Sequence, residues 1–488
     1  MTMATTNFSR RKLLGAAGAL WTAKGAWRGA AAQAPAQAKP PVHELPATAW
    51  NSFEIELPPH RYAADLLPDS AFGINMAMGP ATSNREDRLK AMQQAGIKWG
   101  RQSMSWRMVE AEKGRYDLEP WDGYVDLCRK YGILLVGNLT GQSSWHDPRT
   151  PEGVEAYCNL ARALVRRFRG RIQHWQIWNE PNGGSFWTGT AEQYARLLTA
   201  AGRAIHETDP QAKVLGLNMA FCDVPWAERL LKQVPQDCFD ILCFHPYRPP
   251  SVPEERYDWW MIDQYVGNWH REELSENHPL AYMSFLEQTR ELARVVERFG
   301  PRKPFWITEI NWNTPACPFG TQELRQSDLL ARFYVLALAS GLVEKVFPWT
   351  LADTGNRQYD MAHMVGLMRH NLVPKYAYYA HAWMARMLEG NRWERNDVFG
   401  PDVYSVVFRD PSSGQRVLVA WTTRPYAYLR LHNEGGLTVC DVYGSERFVP
   451  RDPKVDRPVI APLSESPVFV TGPGELRSQE VPNPGMQT

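Results

Sequence analysis

The sequence predicts an α/β chain, a (β/α)8 TIM barrel followed by a smaller C-terminal antiparallel β-sandwich domain. Three observations carry this. Between about residues 70 and 388, eight short apolar runs alternate with stretches of helical period. Those runs are nearly continuous in Val, Ile, Leu, Trp and Phe, as in strands covered on both faces. After Gly390 the pattern changes to short strands separated by Gly, Pro, Asp and Asn.

In order, strand one is expected at 71–75 and its helix at 85–95. The second pair falls at 99–104 and 120–131, the third at 133–139 and 152–169, and the fourth at 174–179 and 191–208. The fifth is placed at 213–217 and 226–233, the sixth at 240–244 and 286–299, the seventh at 304–308 and 323–340, and the eighth at 345–349 and 376–388. Domain boundaries follow: a barrel over 69–388 and a β domain over 389–488, with strands expected at 403–408, 415–421, 427–431, 437–442 and 467–471.

Ahead of the barrel, residues 1–34 read as an export signal of the twin-arginine type. Arg10, Arg11 and Lys12 precede the small apolar run 15–20, and Ala32-Gln33-Ala34 offers a cleavage pattern. Periplasmic or secreted localisation is the expectation. Residues 35–68 hold a Pro/Ala/Gln/Lys linker at 35–41 and an alternating stretch at 52–57 that reads as a strand. No later run is long and apolar enough to predict an integral membrane segment.

The formal net charge is +1, and the first 34 residues hold five basic and no acidic residues. Subtracting those five from +1 leaves the rest at −4, a mildly acidic surface that argues against a nucleic-acid partner. The 20 tryptophans suit an aromatic core and also sugar stacking, because the apolar C–H face of a pyranose packs on an indole. None of the seven cysteines has zinc-finger or redox spacing, although export would permit a disulfide. His363 and His370 lack partners at ligand spacing, and no glycine-rich phosphate loop follows a strand. No metal and no cofactor is expected.

Chemistry concentrates at two strand ends. His174-Trp175-Gln176-Ile177-Trp178-Asn179-Glu180-Pro181-Asn182 and Pro304-Phe305-Trp306-Ile307-Thr308-Glu309 each deliver a glutamate after an apolar run. On strands four and seven of a barrel, both fall at the face where catalytic residues gather. Two carboxyl groups across one pocket are the minimum equipment for cutting a glycosidic bond. Glu180 would be the general acid/base, its pKa raised by an apolar wall that includes Trp175 and Trp178.

Trp178-Asn179-Glu180-Pro181 resembles the acid/base motif of the clan A retaining glycoside hydrolases, and Thr308-Glu309 resembles their strand-seven nucleophile. The run from Arg107 to Asp117 is similar to their strand-two loop, and Gly366-Leu367 with Pro374-Lys375-Tyr376-Ala377 to their last helix entry. The closest likeness is to glycoside hydrolase family 39. It implies that Glu309 is the nucleophile and that the two carboxyls lie ~5–5.5 Å apart. It further implies that Asn179 bonds the sugar 2-hydroxyl and that Tyr247 orients Glu309. Arg101, at the end of strand two, is expected to hold Glu309 ionised; His245 lines the same wall, and Trp349 is a platform beneath the sugar. The implied activity is cleavage of β-linked oligosaccharide or polysaccharide by double displacement. A transglycosylase with the same residues, or a non-catalytic carbohydrate-binding protein, are the alternatives.

Two departures from the family pattern bear on substrate choice. Strand three ends Gly137-Asn138-Leu139-Thr140, without the histidine common there. The loop after strand six is long and carries Trp259, Trp260 and Trp269, which are expected to shape a glycan cleft.

Overall fold

The computed structural model describes residues 57, 60, 62–183, 186–256, 283–318, 320–450 and 459–481. The export signal, the linker at 35–41, the strand expected at 52–57 (apart from Leu57) and the three loop tryptophans lie outside the described residues.

Eight parallel strands run in chain order around the barrel: β1 (Gly73–Asn75), β2 (Trp99–Ser105), β3 (Leu134–Thr140), β4 (His174–Ile177), β5 (Lys213–Ala220), β6 (Ile241–His245), β7 (Phe305–Ile310) and β8 (Val343–Pro348). A parallel bridge between Phe72 and Val346 joins the last strand to the first. The surrounding helices are α1 (Arg85–Gln94), the short α2 (Trp106–Val109), α3 (Glu119–Lys130), α4 (Pro151–Arg167), α5 (Ala191–Thr208), α6 (Val224–Leu231), α7 (Phe285–Phe299), α8 (Glu323–Ala339) and α9 (Tyr376–Leu388). Local chemistry fixes their starts. Thr190 with Gln193, and Ser284 with Glu287, close capping boxes on α5 and α7. The apolar residues of α5 recur at Tyr194, Leu197, Leu198, Ala201, Ala204 and Ile205, one stripe turned to the sheet. None of the described helices is long and apolar enough to cross a membrane.

The barrel interior has two layers. The lower is apolar: Trp99, Trp306, Phe347, Val136 and Leu215 form a separate buried cluster, with the Trp99 and Trp306 rings 5.2 Å apart. Gly73 makes room for it, since a Cβ there would meet the Phe347 ring at 2.4 Å. Lys345 lies over both tryptophan rings, at 4.8 and 5.0 Å, and donates to the carbonyls of Pro68 and Ser70. It thereby ties the entering chain to the barrel floor, as Lys98 does at the carbonyls of Tyr62, Ala63 and Asp65. The upper layer is polar, built by residues such as Asn75, Arg101 and Gln176, and carries the site. Side chains alternate along a strand, so residues two apart share the interior. Trp99 therefore belongs to the lower layer and Arg101 to the upper.

Two antiparallel sheets follow. The larger has the order β14-β13-β16-β11-β10-β9 and the smaller β15-β12-β17. Their strands are β9 (Arg392–Phe399), β10 (Val403–Arg409), β11 (Arg416–Thr422), β12 (Ala427–His432), β13 (Leu437–Cys440), β14 (Glu446–Val449), β15 (Val459–Leu463), β16 (Val468–Thr471) and β17 (Arg477–Val481). Val403, Val407, Leu418 and Ala420 meet Leu429, Leu431, Ala461 and Leu463 between the sheets. The alternate residues Tyr404, Val406, Phe408, Val419 and Trp421 join the core of the barrel itself. One face of the large sheet thus makes a sandwich and the other docks on the barrel. All seven cysteines are free.

The expected boundaries shift where the site begins. β4 stops at Ile177, not at Asn179, because the next residues leave strand geometry. β7 runs on to Ile310 and holds Glu309 inside the strand. Arg101 is the third residue of seven in β2, well inside the barrel and not at the strand end.

Candidate active site

Glu180 is placed by an unusual stretch of backbone. Trp178 and Glu180 both adopt left-handed φ, at 67° and 44°, a conformation that non-glycine residues hold only where the surroundings fix it. The fixing is visible. Trp178 N–H donates to Leu139 O, and Glu180 N–H donates to Asn218 O, each at 2.9 Å. Asn218 sits in a bulge of β5, where the register slips between Leu217 and Met219, and returns its own amide to Ile177 O at 2.7 Å. Asn182 completes the bracket: its side chain accepts from Ala220 N–H at 2.8 Å and donates to Ala220 O at 3.0 Å. The buried Trp178 ring anchors the turn, its Nε1 donating to Phe186 O.

Glu180 is buried, its side chain 11% exposed, and burial raises its pKa to about 7 against the opposing pull of Arg101. Its Oε1 is 2.8 Å from His245 Nδ1. His245 ends β6, is fully buried, and sets its Nε2 3.0 Å from Thr308 Oγ1. Burial pulls the imidazole down to about 3, which favours its neutral form.

Glu309 is held at both oxygens. Arg101 Nη1 donates to Oε1 at 2.7 Å and Tyr247 O–H donates to Oε2 at 2.9 Å. Desolvation, with Glu309 alongside, pushes the Tyr247 phenol well above its ordinary range, which keeps it a donor. Arg101 is the hub of the layer. It also donates to Asn75 Oδ1 at 2.8 Å, Gln176 Oε1 at 2.7 Å and Asn179 Oδ1 at 2.5 Å. Strand register makes this possible, since Asn75 pairs directly with Arg101. Where the strand-three histidine is missing, Asn138, with its amide turned to suit its neighbours, accepts from Arg101 Nη2 and donates to Trp178 O, both at 3.0 Å.

Trp349 follows β8, half-buried, with its carbonyl accepting from Asn311 at 2.6 Å. It shares with Arg101 the wall of a cavity of about 410 Å³ that also meets Met76, Met78 and Trp121, with Met108 exposed on its rim. Farther out, the strand-two loop is pinned by Glu110, which accepts from Trp106 Nε1 at 2.6 Å and Gly114 N–H at 2.7 Å.

The structure therefore brings Glu180, Glu309, Arg101, Asn179, His245 and Tyr247 into one hydrogen-bonded group, with Trp349 at its edge. A carboxylate oxygen of Glu180 and one of Glu309 lie within 4.8 Å. Sequence reasoning missed Asn75, Gln176, Asn182 and Asn218. Its available signal was a lone amide inside or just beyond an apolar run, since a buried amide must find partners. It also missed that Glu180, His245 and Glu309 present ligand atoms within 4.8 Å of one another, because they come from the turn after β4, from β6 and from β7, far apart in sequence. A divalent cation there would face the Arg101 guanidinium, 2.7 Å from Glu309, and be repelled by it.

The family model for glycosyl hydrolases family 39 matches residues 110–423. A beta-xylosidase of Caldicellulosiruptor saccharolyticus is 34% identical over 84 residues, 16% of each chain. Endo-1,4-beta-xylanase 2 of Arabidopsis thaliana is 25% identical over 116 residues, 22% of this chain and 11% of that protein. The matched stretches thus span well under a fifth of those relatives' own lengths. Among solved structures, a family 39 glycoside hydrolase from Bacteroides cellulosilyticus WH2 superposes with a TM-score of 0.70 at 20% identity, covering 85% of this chain and 82% of that one. A GH39 beta-xylosidase from Caulobacter crescentus gives 0.57 at 17% identity, over 84% and 98%. At these identities the structures establish the shared fold, and the family model carries the assignment. The chain belongs to glycosyl hydrolases family 39.

Proposed function

We propose that the protein is an exported retaining glycosidase that cleaves a β-linked oligosaccharide or polysaccharide, with Glu309 as nucleophile and Glu180 as acid/base. The observation that carries this is the carboxylate separation. Oxygens within 4.8 Å suit the short spacing of a retaining pair, whereas an inverting pair needs ~6.5–9.5 Å to admit water. In the first step Glu309 attacks the anomeric carbon while protonated Glu180 gives its proton to the leaving oxygen. In the second, Glu180 takes a proton from water, which attacks the same carbon and frees Glu309. Asn179 suits the sugar 2-hydroxyl, its Oδ1 being occupied by Arg101 and its amide left to donate.

His245 suits both states of Glu180. With its proton on Nδ1 it donates to the carboxylate; with its proton on Nε2 it accepts from the acid. The Thr308 hydroxyl, donor and acceptor alike, serves either tautomer.

Because the two curated relatives are named for xylan chemistry, aryl β-xylosides are the first substrates to try, followed by other aryl β-glycosides and the polysaccharides. Glu309→Gln should lower turnover by at least ~10³-fold, with the wild type giving a product of retained anomeric configuration. Wild-type rates in that variant, or an inverted product, would refute the assignment. For export, replacing Arg10 and Arg11 with lysine should leave precursor in the cytoplasm; an unchanged periplasmic yield would count against a twin-arginine route.

A further inference from the structure

Tyr247 reaches Glu309 from the segment that leaves β6, and that segment is fastened at three places. Arg248, fully buried, donates Nη2 to Glu255 O at 2.6 Å and so closes the segment on itself. Trp312, just beyond β7, donates Nε1 to Ser251 O at 2.9 Å. The third fastening is Glu254, and it reaches outside the loop in two directions. Arg332 of α8 sets Nε 2.9 Å from Oε1 and donates Nη2 to Oε2 at 2.9 Å. Trp421 of β11, in the C-terminal domain, donates Nε1 to the same Oε1 at 2.8 Å. The Arg332 and Glu254 side chains are only 1% and 4% exposed. Tyr404 stacks on Trp421 with ring centroids 5.0 Å apart and planes 6° from parallel, and Arg332 also donates to Glu465 O at 3.2 Å, on the chain between β15 and β16.

A buried ion pair is a poor route to stability compared with apolar residues of the same volume. Its worth here lies in what it holds still. Glu254 lies seven positions after Tyr247, with Arg248 and the Ser251 contact between them. We propose that Glu254 is a positioning residue for the catalytic centre: clasped by Arg332 and Trp421, it sets the β6 loop so that the Tyr247 hydroxyl aims Glu309 at the anomeric carbon. The C-terminal domain is on this account part of the active site's support. The proposal rests on the reading of Glu309 as nucleophile.

Trp421→Phe in the full-length protein tests it, because an aromatic ring stays against Tyr404 while the N–H donor is lost together with part of the buried indole volume. Glu254→Gln is the companion variant, and Tyr247→Phe supplies the reference. Four readouts are taken: kcat and KM on an aryl glycoside the enzyme turns over, the rate of covalent labelling by the matching 2-deoxy-2-fluoro glycoside, and the identity of the labelled residue. A nucleophile displaced by a fraction of an ångström to 1 Å should lose roughly 10–100-fold in kcat, with labelling slowed in proportion. KM should stay within about twofold. Glu254→Gln combined with Tyr247→Phe should be no slower than Tyr247→Phe alone, because both act through one contact. If Trp421→Phe and Glu254→Gln only lower the melting temperature, with kcat and labelling per folded molecule unchanged, or if the double variant shows the product of the single losses, the proposal is overturned. Labelling at a residue other than Glu309 would instead overturn the reading of the site, and the positioning role with it.

Discussion

At the scale of single residues, the site works by giving two similar carboxyls different surroundings. Glu309 is gripped by a cation and a phenol; Glu180 is buried against a neutral imidazole. The second environment favours the protonated acid, and the sign for stability follows. The folded pKa of Glu180, about 7, lies above its unfolded value near 4.5, so the fold binds the extra proton between those pH values. Stability from this group is fully present below about pH 4.5 and is lost as pH rises to 7, a loss of ~3 kcal/mol once the carboxylate is formed. Glu180→Gln, which cannot ionise, should therefore melt higher than the parent at pH 8, with the gain shrinking to nothing toward pH 4. A gain that does not vary with pH would show that Glu180 is not the group being strained. The basic limb of kcat/KM should fall near pH 7 in the parent and vanish along with acid catalysis in the variant. Both glutamates were legible in the sequence because each sits in a local motif after an apolar run. The hub role of Arg101 was not, because its bonds to Asn75, Gln176 and Glu309 span 26, 75 and 208 residues and depend on barrel register.

At the scale of elements, the end of β4 and the bulge of β5 act as one unit. Two left-handed residues at the first meet two at the second, and each element satisfies the other's backbone. Asn182 extends that pairing with a side chain in place of a strand residue. Asn182→Ala should leave the buried Ala220 N–H without its partner, at about 1–3 kcal/mol, and let the Glu180 turn relax. Its effect on rate should depend on the leaving group. A good leaving group such as dinitrophenolate needs little protonation, so its turnover should be nearly kept, while an unsubstituted phenyl or sugar leaving group should slow by at least ~10-fold. Equal losses on both would mean that the whole pocket moved. The element-level reading of the sequence succeeded where apolar runs are long and both faces are buried, as in β5, β6 and β7. It missed β9, β14, β15 and β17. All four lie at sheet edges, and three of them carry polar, exposed side chains, such as the Glu446-Arg447-Phe448 run of β14 or the Arg392 to Asp397 stretch of β9. An edge strand with one wet face lacks the apolar pattern that marks a buried one.

At the scale of the whole molecule, the sandwich and the barrel share a core. Val406, Phe408, Val419 and Trp421, on one side of the large sheet, belong to the barrel's core, while Val403, Val407 and Leu418 on the other side pack with the small sheet. Tyr443 adds a hydrogen bond of 2.6 Å to Ser327 at the start of α8. Removing residues 391–488 would expose the apolar side of two barrel helices and strip Arg332 and Glu254 of their third partner. The expected product is insoluble or unfolded protein, not a lighter enzyme. The same shared core predicts that heat unfolds the two parts together, since neither can lose its packing without exposing the other's. Phe408→Ala is the sharper probe: at 1% exposure its loss should cost about 3–5 kcal/mol and lower one calorimetric transition as a whole. Two separate transitions, with only the weaker one moved by Phe408→Ala, would show that the sandwich is an independent module. A soluble truncated barrel with the parent's melting temperature and aryl-glycoside turnover would show the same from the other side.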